Sequence, residues 1–112
     1  MNIPDCTHSG EQLEICFEKL MPETADIFQK LAQHTFREGA LSFKTKELIA
    51  LGIAVTSRCE DCMNYHLEKL KACGATQAEI TEAMEVGFEM GVGLLLSPLR
   101  RTLWRHFPDN KG

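Results

Sequence analysis

The chain has no apolar run approaching the roughly 18 residues that a membrane-spanning helix needs, so no membrane partner is expected. It has no excess of positive charge either. Its 12 Lys and Arg stand against 16 Asp and Glu, a formal net charge of −4 over 112 residues. Without a basic footprint, nucleic acid is not an expected partner, and an anionic membrane surface is a poor one. The opening residues, MNIPDCTHSGE, contain neither the basic nor the apolar region of a secretory leader. The expected location is therefore the reducing cytoplasm. There the five cysteines are expected mostly as free thiols, and a Cys-x-x-Cys pair points to catalysis or metal binding rather than to a structural staple. No segment alternates with period two for long, and there is no repeat, linker or low-complexity tract. The βαβ patterning of a thioredoxin fold is absent.

The remaining composition, 44% hydrophobic and 25% charged, is that of an ordinary globular protein. The length predicts one domain over residues 1–112 with a core of its own. Periodicity predicts an all-α fold of about six helices. Ser9 and Gln12 form a capping-box pattern for the first, whose apolar face is Leu13, Ile15, Cys16, Phe17 and Leu20. That face makes Cys16 an expected core residue. Pro22 ends this helix or opens the second, which runs from about residue 23 to 37, with Gly39 as its stop. Ser42 is positioned to cap a third helix over about 43–56. Its length, and helical patterns on both sides, favour helix over a buried strand. It is apolar almost all round and so expected to be buried. Gly52 in its middle costs ~1 kcal/mol relative to Ala, which implies that another helix passes close there. Ser57 and Glu60 form a capping-box pattern for the fourth helix, and Gly74 is its stop. Thr76 and Glu79 repeat the start signal for the fifth. Gly91 and Gly93 are expected to kink or break it. Leu94, Leu95, Leu96, Leu99, Leu103 and Trp104 continue helically to about Phe107, before Pro108. So wide an apolar face on the last helix predicts an oligomer interface.

The chemistry-bearing residues are concentrated in Glu47 to His66, ELIALGIAVTSRCEDCMNYH. Cys59 and Cys62 lie at i and i+3 near a helix start, ~5–6 Å apart at Cβ, close to disulfide range. His66 is four residues beyond Cys62, on the same face. A thiol beside a basic imidazole ionises more readily, and the thiolate is the reactive species. The positive end of the helix is felt most by Cys59. If the third and fourth helices fold back at Ser57, Glu47 lies ten residues before the turn and His66 nine after it. Both then sit ~14–15 Å from the turn at 1.5 Å per residue. A carboxylate level with a histidine orients the ring and holds a proton. On residue physics alone, Glu47 at a helix start serves the helix dipole equally well.

Glu47, then eleven residues, then Cys59, Cys62 and His66 resembles the E-x11-C-x-x-C-x-x-x-H signature of AhpD-like alkylhydroperoxidases of the carboxymuconolactone decarboxylase superfamily. The flanks LSFKTKELIALGIAV and KACGATQAEITEAMEVGFEMGVG agree, so the resemblance covers about residues 41–93. It implies an all-α, AhpD-like domain whose active site is an antiparallel helical hairpin, assembled as a homotrimer or homohexamer. It implies an antioxidant thiol peroxidase in which Cys62 attacks an organic hydroperoxide, Cys59 resolves the sulfenic acid as a redox-active disulfide, and His66 and Glu47 relay the proton. A dithiol, such as a lipoyl protein or a thioredoxin-like protein, would reset the pair, and no bound cofactor or metal is implied. Helix-dipole reasoning by itself favours Cys59 as the attacker. The resemblance, and the histidine one turn from Cys62, favour Cys62. The chain departs from the best-studied peroxidases at Asp61, where they carry histidine. With Glu60 this puts two carboxylates beside the thiols, which suits the helix dipole but opposes thiolate formation; Arg58 offsets them in part.

Two other chemistries compete. Cys59, Cys62 and His66 are three parts of a zinc site that His34, His106 or Cys73 would complete, as a non-enzymatic binding module. The superfamily's other chemistry is proton transfer on a small lactone or acid, as in carboxymuconolactone decarboxylase, whose branch lacks the cysteine pair. Haem attachment is excluded because Met63, not His, follows Cys62. Cys6 and Cys73 are expected to be incidental, and His8 and His34 solvated. His106 answers the helix dipole, and Tyr65 either lines the site or packs. Glu82, Glu85 and Glu89 form a solvated face.

Overall fold

The computed structural model describes residues 10–110. The expected cap at Ser9 and the residues Cys6 and His8 lie outside this range. The chain divides into two compact units, one up to Phe43 and one from Lys44 onward.

The first unit contains α1 (Gly10–Leu20) and α2 (Pro22–Thr35). Pro22 occupies the first turn of α2, where its missing N–H leaves nothing unsatisfied. The helix ends at Thr35, before Gly39. Phe36 closes it by donating its N–H to the Ala32 carbonyl at 3.0 Å, and the Arg37 N–H reaches the His34 carbonyl at 3.5 Å. Cys16 is exposed rather than in the core, as are Leu13, Ile15 and Phe17 on the same helix. Periodicity identified the apolar face correctly, but the described chain does not cover it.

The second unit carries α3 (Phe43–Thr56), α4 (Glu60–Ala72), α5 (Gln77–His106) and a short 3-10 turn at Pro108–Asn110. Its core is built on Leu51, Leu70 and Ile80, with Leu48, Met63, Leu67, Ala83 and Met84 packed around them. Leu51 and Leu70 are fully buried, each worth about 1.5–3 kcal/mol in apolar burial. The expectation of an enclosed α3 holds for Leu51 and Ala54 only, since Ile49 and Ile53 are exposed.

There are five α-helices, all-α as expected, and no strand among the described residues. The fifth and sixth expected helices are one 30-residue helix that passes through Gly91, Gly93 and Pro98. A helical glycine costs only ~1 kcal/mol, and the Leu-rich stretch after Gly93 favours continuing the helix. Thr76 and Glu79 form the expected capping box. Thr76 Oγ1 accepts from Glu79 N at 3.1 Å, and Thr76 N donates to Glu79 Oε1 at 2.9 Å. Ser57 does not cap α4; that position belongs to Cys59.

Gly52 of α3 meets Gly87 of α5, the close approach its sequence position implied. A Cβ on Gly87 would lie 3.0 Å from Gly52 Cα, and a Cβ on Gly52 would lie 3.4 Å from the Ala83 carbonyl oxygen. Thr56 ties the two helices at this point. Its hydroxyl reaches the Gly87 carbonyl oxygen at 2.7 Å and the Gly52 carbonyl oxygen at 3.1 Å.

Candidate functional site

The turn between α3 and α4 is set by a left-handed residue. Arg58 has φ 56°, the only non-glycine with positive φ among the described residues. Its N–H bonds the Val55 carbonyl, and the Cys59 N–H bonds the Ala54 carbonyl, both at 3.0 Å. This is a Schellman closure, in which the left-handed position is usually glycine. The chain uses glycine at the end of α4, where Gly74 has φ 81° and the same bonds recur from Gly74 to Lys71 and Ala75 to Leu70. Closing α3 in this way occupies Ser57 and Arg58, so the α4 cap moves on to Cys59.

Cys59 is extended (φ −94°, ψ 95°), and its Sγ accepts the Cys62 backbone N–H at 3.3 Å. Cys59 and Cys62 are joined as a disulfide, with Cα atoms 5.2 Å apart. Cys62 is exposed and Cys59 half-buried. The remaining described cysteines, Cys16 and Cys73, are free.

The fold-back brings Glu47 and His66 together. Glu47 Oε2 lies 2.6 Å from His66 Nδ1, and Glu47 is the one buried charged residue described, 2% exposed. A carboxylate only accepts, so Nδ1 carries the proton and the Nε2 edge of the ring faces away from Glu47. The Tyr65 ring stands edge-on to His66, with centroids 5.1 Å apart at 84°. Lys69 Nζ lies 5.4 Å from the Tyr65 centroid. Tyr65 is half-exposed, so it borders the histidine rather than filling the core.

Glu47 and His66 are thus in contact, and Cys59 and Cys62 are bonded to each other at the start of the helix that carries His66. Cys73 donates its thiol to the Leu70 carbonyl at 3.4 Å, and His34 is exposed, beside Arg37. Among the described residues no group of three or more His, Cys, Asp and Glu side chains has the arrangement of a metal site. No described helix is long and apolar enough to cross a membrane. Sequence reasoning missed the capping role of Cys59 and the left-handed Arg58; no residue type in that stretch signals either.

The sequence profile of the carboxymuconolactone decarboxylase family matches residues 22–93. The chain belongs to this family. It is similar to uncharacterized protein 4 in the cox locus of Paracoccus denitrificans, 35% identical over 78 residues, 70% of each chain. It is similar in structure to a carboxymuconolactone decarboxylase family protein of Legionella pneumophila, with a TM-score of 0.68 and 41% identity over 72% of this chain and 71% of that one. A Thermotoga maritima family protein, for which a part in an antioxidative response has been suggested, superimposes with a TM-score of 0.58 and 33% identity over 78% of this chain and 95% of that one. The matched residues include α2 and the motif-bearing helices α3 and α4.

Proposed function

We propose that this family member is a thiol-dependent oxidoreductase that reduces organic hydroperoxides through Cys62 and Cys59. The observation that carries the reading is the buried Glu47 carboxylate bound to His66 at 2.6 Å, on the helix that begins with the disulfide. In the reduced pair, the Cys62 thiolate attacks the terminal peroxide oxygen. The O–O bond breaks, Cys62 becomes a sulfenic acid, and the departing alkoxide takes a proton relayed by His66. The Cys59 thiolate then displaces hydroxide from the Cys62 sulfur, closing the disulfide, and the hydroxide leaves as water. A dithiol reductant, lipoyl-bound or thioredoxin-like, reopens it. The suggested antioxidative part of the Thermotoga relative supports this role. Exposed Leu94, Leu95, Leu99, Leu103 and Trp104 on α5 support assembly as a homotrimer or homohexamer.

Thiol counting tests it. The fully reduced chain has five cysteines. One equivalent of cumene hydroperoxide is expected to remove two thiols, and Cys62→Ser to abolish the loss of a pair. No loss of thiols contradicts the reading. The family name carries the other reading, proton transfer on a small lactone or acid by Glu47 and His66 alone. Activity that survives replacement of both cysteines belongs to it.

A further inference from the structure

Cys59 does more than form half of a bridge. The first N–H groups of a helix have no partner within it, and the Cys59 sulfur accepts the one donated by Cys62. A sulfur in that position sits at the positive end of α4 with a hydrogen bond already aimed at it. Cys62 lies inside the first turn and is exposed. The two halves of the disulfide are therefore not equivalent.

We propose that the disulfide opens in one direction, with the incoming thiolate attacking Cys62 Sγ and Cys59 leaving as the thiolate. This rests on the redox reading above and names the sulfur that the dithiol reductant meets. A lone pair of the reductant's first thiolate forms a bond to Cys62 Sγ as the Cys59–Cys62 bond breaks, and the bonding pair departs on Cys59 Sγ. The reductant's second thiolate then attacks its own sulfur in the mixed disulfide. The reductant closes as a disulfide, having lost two electrons, and Cys62 is released as a thiolate. The reductant's two thiol protons complete the balance at the cysteine pair.

Three features set the direction. Exchange is faster when the leaving sulfur carries negative charge well, and the Cys62 N–H and the helix N-terminus both serve Cys59. Arg58 directly precedes Cys59, whereas Glu60 and Asp61 adjoin one cysteine each and do not discriminate between them. The charge on a protonated His66 is matched by the Glu47 carboxylate at 2.6 Å. His66 therefore adds no uncompensated positive charge that would favour Cys62 as the leaving sulfur. Cys62 is then the sulfur that receives the peroxide oxygen and, later, the reductant. Cys59 is the leaving thiolate when the bridge is opened and the resolving thiolate when it closes.

The test needs no peroxide. Disulfide-form protein is treated with N-ethylmaleimide to block its other thiols, then mixed with glutathione, quenched with acid, and labelled with heavy-isotope N-ethylmaleimide. Trypsin cuts after Arg58 and Lys69, leaving both cysteines on one peptide whose fragment ions locate each group. The expected product carries glutathione on Cys62 and the heavy label on Cys59, in at least tenfold excess over the reverse isomer. Migration of glutathione between the two sulfurs runs toward the same product, because the freed charge still favours Cys59. Glutathione on Cys59, or an even mixture, overturns the proposal and leaves hydroperoxide reduction standing. A disulfide that yields no adduct overturns the redox reading itself.

Discussion

Glu47 Oε2 meets His66 Nδ1 at 2.6 Å across nineteen residues of sequence, and the carboxylate is closed off from solvent. A buried charge is tolerated only when paired, so the contact is at once structural and chemical. Substitutions separate the two roles. Glu47→Gln keeps the shape and removes the charge, and is expected to slow hydroperoxide reduction by about 100-fold or more while the fold remains. His66→Ala leaves the carboxylate buried without this partner and is expected to cost about 3 kcal/mol of stability. Urea unfolding and stopped-flow kinetics on both variants check the division.

The helix crossing allows no side chain at Gly87, whereas a Cβ on Gly52 would meet the Ala83 carbonyl oxygen at an ordinary 3.4 Å. Gly87→Ala places a methyl group against the Gly52 backbone at 3.0 Å, which a flexible side chain cannot relieve. It is expected to lose about 1–3 kcal/mol as an overpacked site. Gly91→Ala, on the same helix with nothing within 4 Å of the new methyl group, is expected to gain about 0.5–1 kcal/mol. Thermal unfolding of the pair gives the two signs side by side.

Arg58 occupies a left-handed position at φ 56°, which costs an ordinary L-residue roughly 1–2 kcal/mol. Arg58→Gly is expected to raise stability by about 1 kcal/mol, and Gly74→Ala to lower it by a similar amount, because both close a helix by the same pair of bonds. Denaturant midpoints on the two variants test this.

Outside the site, Lys44 Nζ holds Glu79 Oε2 at 2.7 Å. The lysine hydrogen bond, followed by the Thr76 backbone N–H, lowers the Glu79 carboxyl from 4.5 to about 2. The folded chain therefore gives up this proton more readily than the unfolded chain. The resulting stability is complete above about 4.5 and disappears as pH falls toward 2. Lys44 is raised above 10.5 by the same partner, so its contribution is present below 10.5 and lost as pH climbs past the folded value. Glu79→Gln is expected to flatten part of the acid limb of stability against pH, measured by urea midpoints.

The hairpin was legible because it follows from counting. Glu47 and His66 lie nearly equal distances from a turn, and helical rise is constant, so they meet at one depth. Gly52 was legible because a glycine inside a helix is costly unless a backbone must pass there, and Gly87 is that neighbour. The start of α4 was misplaced because capping patterns record residue type, whereas the left-handed Arg58 closed α3 and displaced the cap from Ser57 to Cys59. The unbroken α5 was missed because a glycine penalty of ~1 kcal/mol is small against the helical preference around it. Cys16, Ile49 and Ile53 show a different limit. Periodicity shows which side chains are apolar, not whether the surface that covers them belongs to the same chain.

The central claim is that Cys59 and Cys62 form a cycling bridge rather than a staple, and its reduction potential tests this most directly. Equilibration of the pair against glutathione redox buffers, read by mass spectrometry of alkylated thiols, is expected to give a value between roughly −270 and −120 mV, the range of exchanging dithiols. A value below about −300 mV, where structural disulfides lie, would contradict the account.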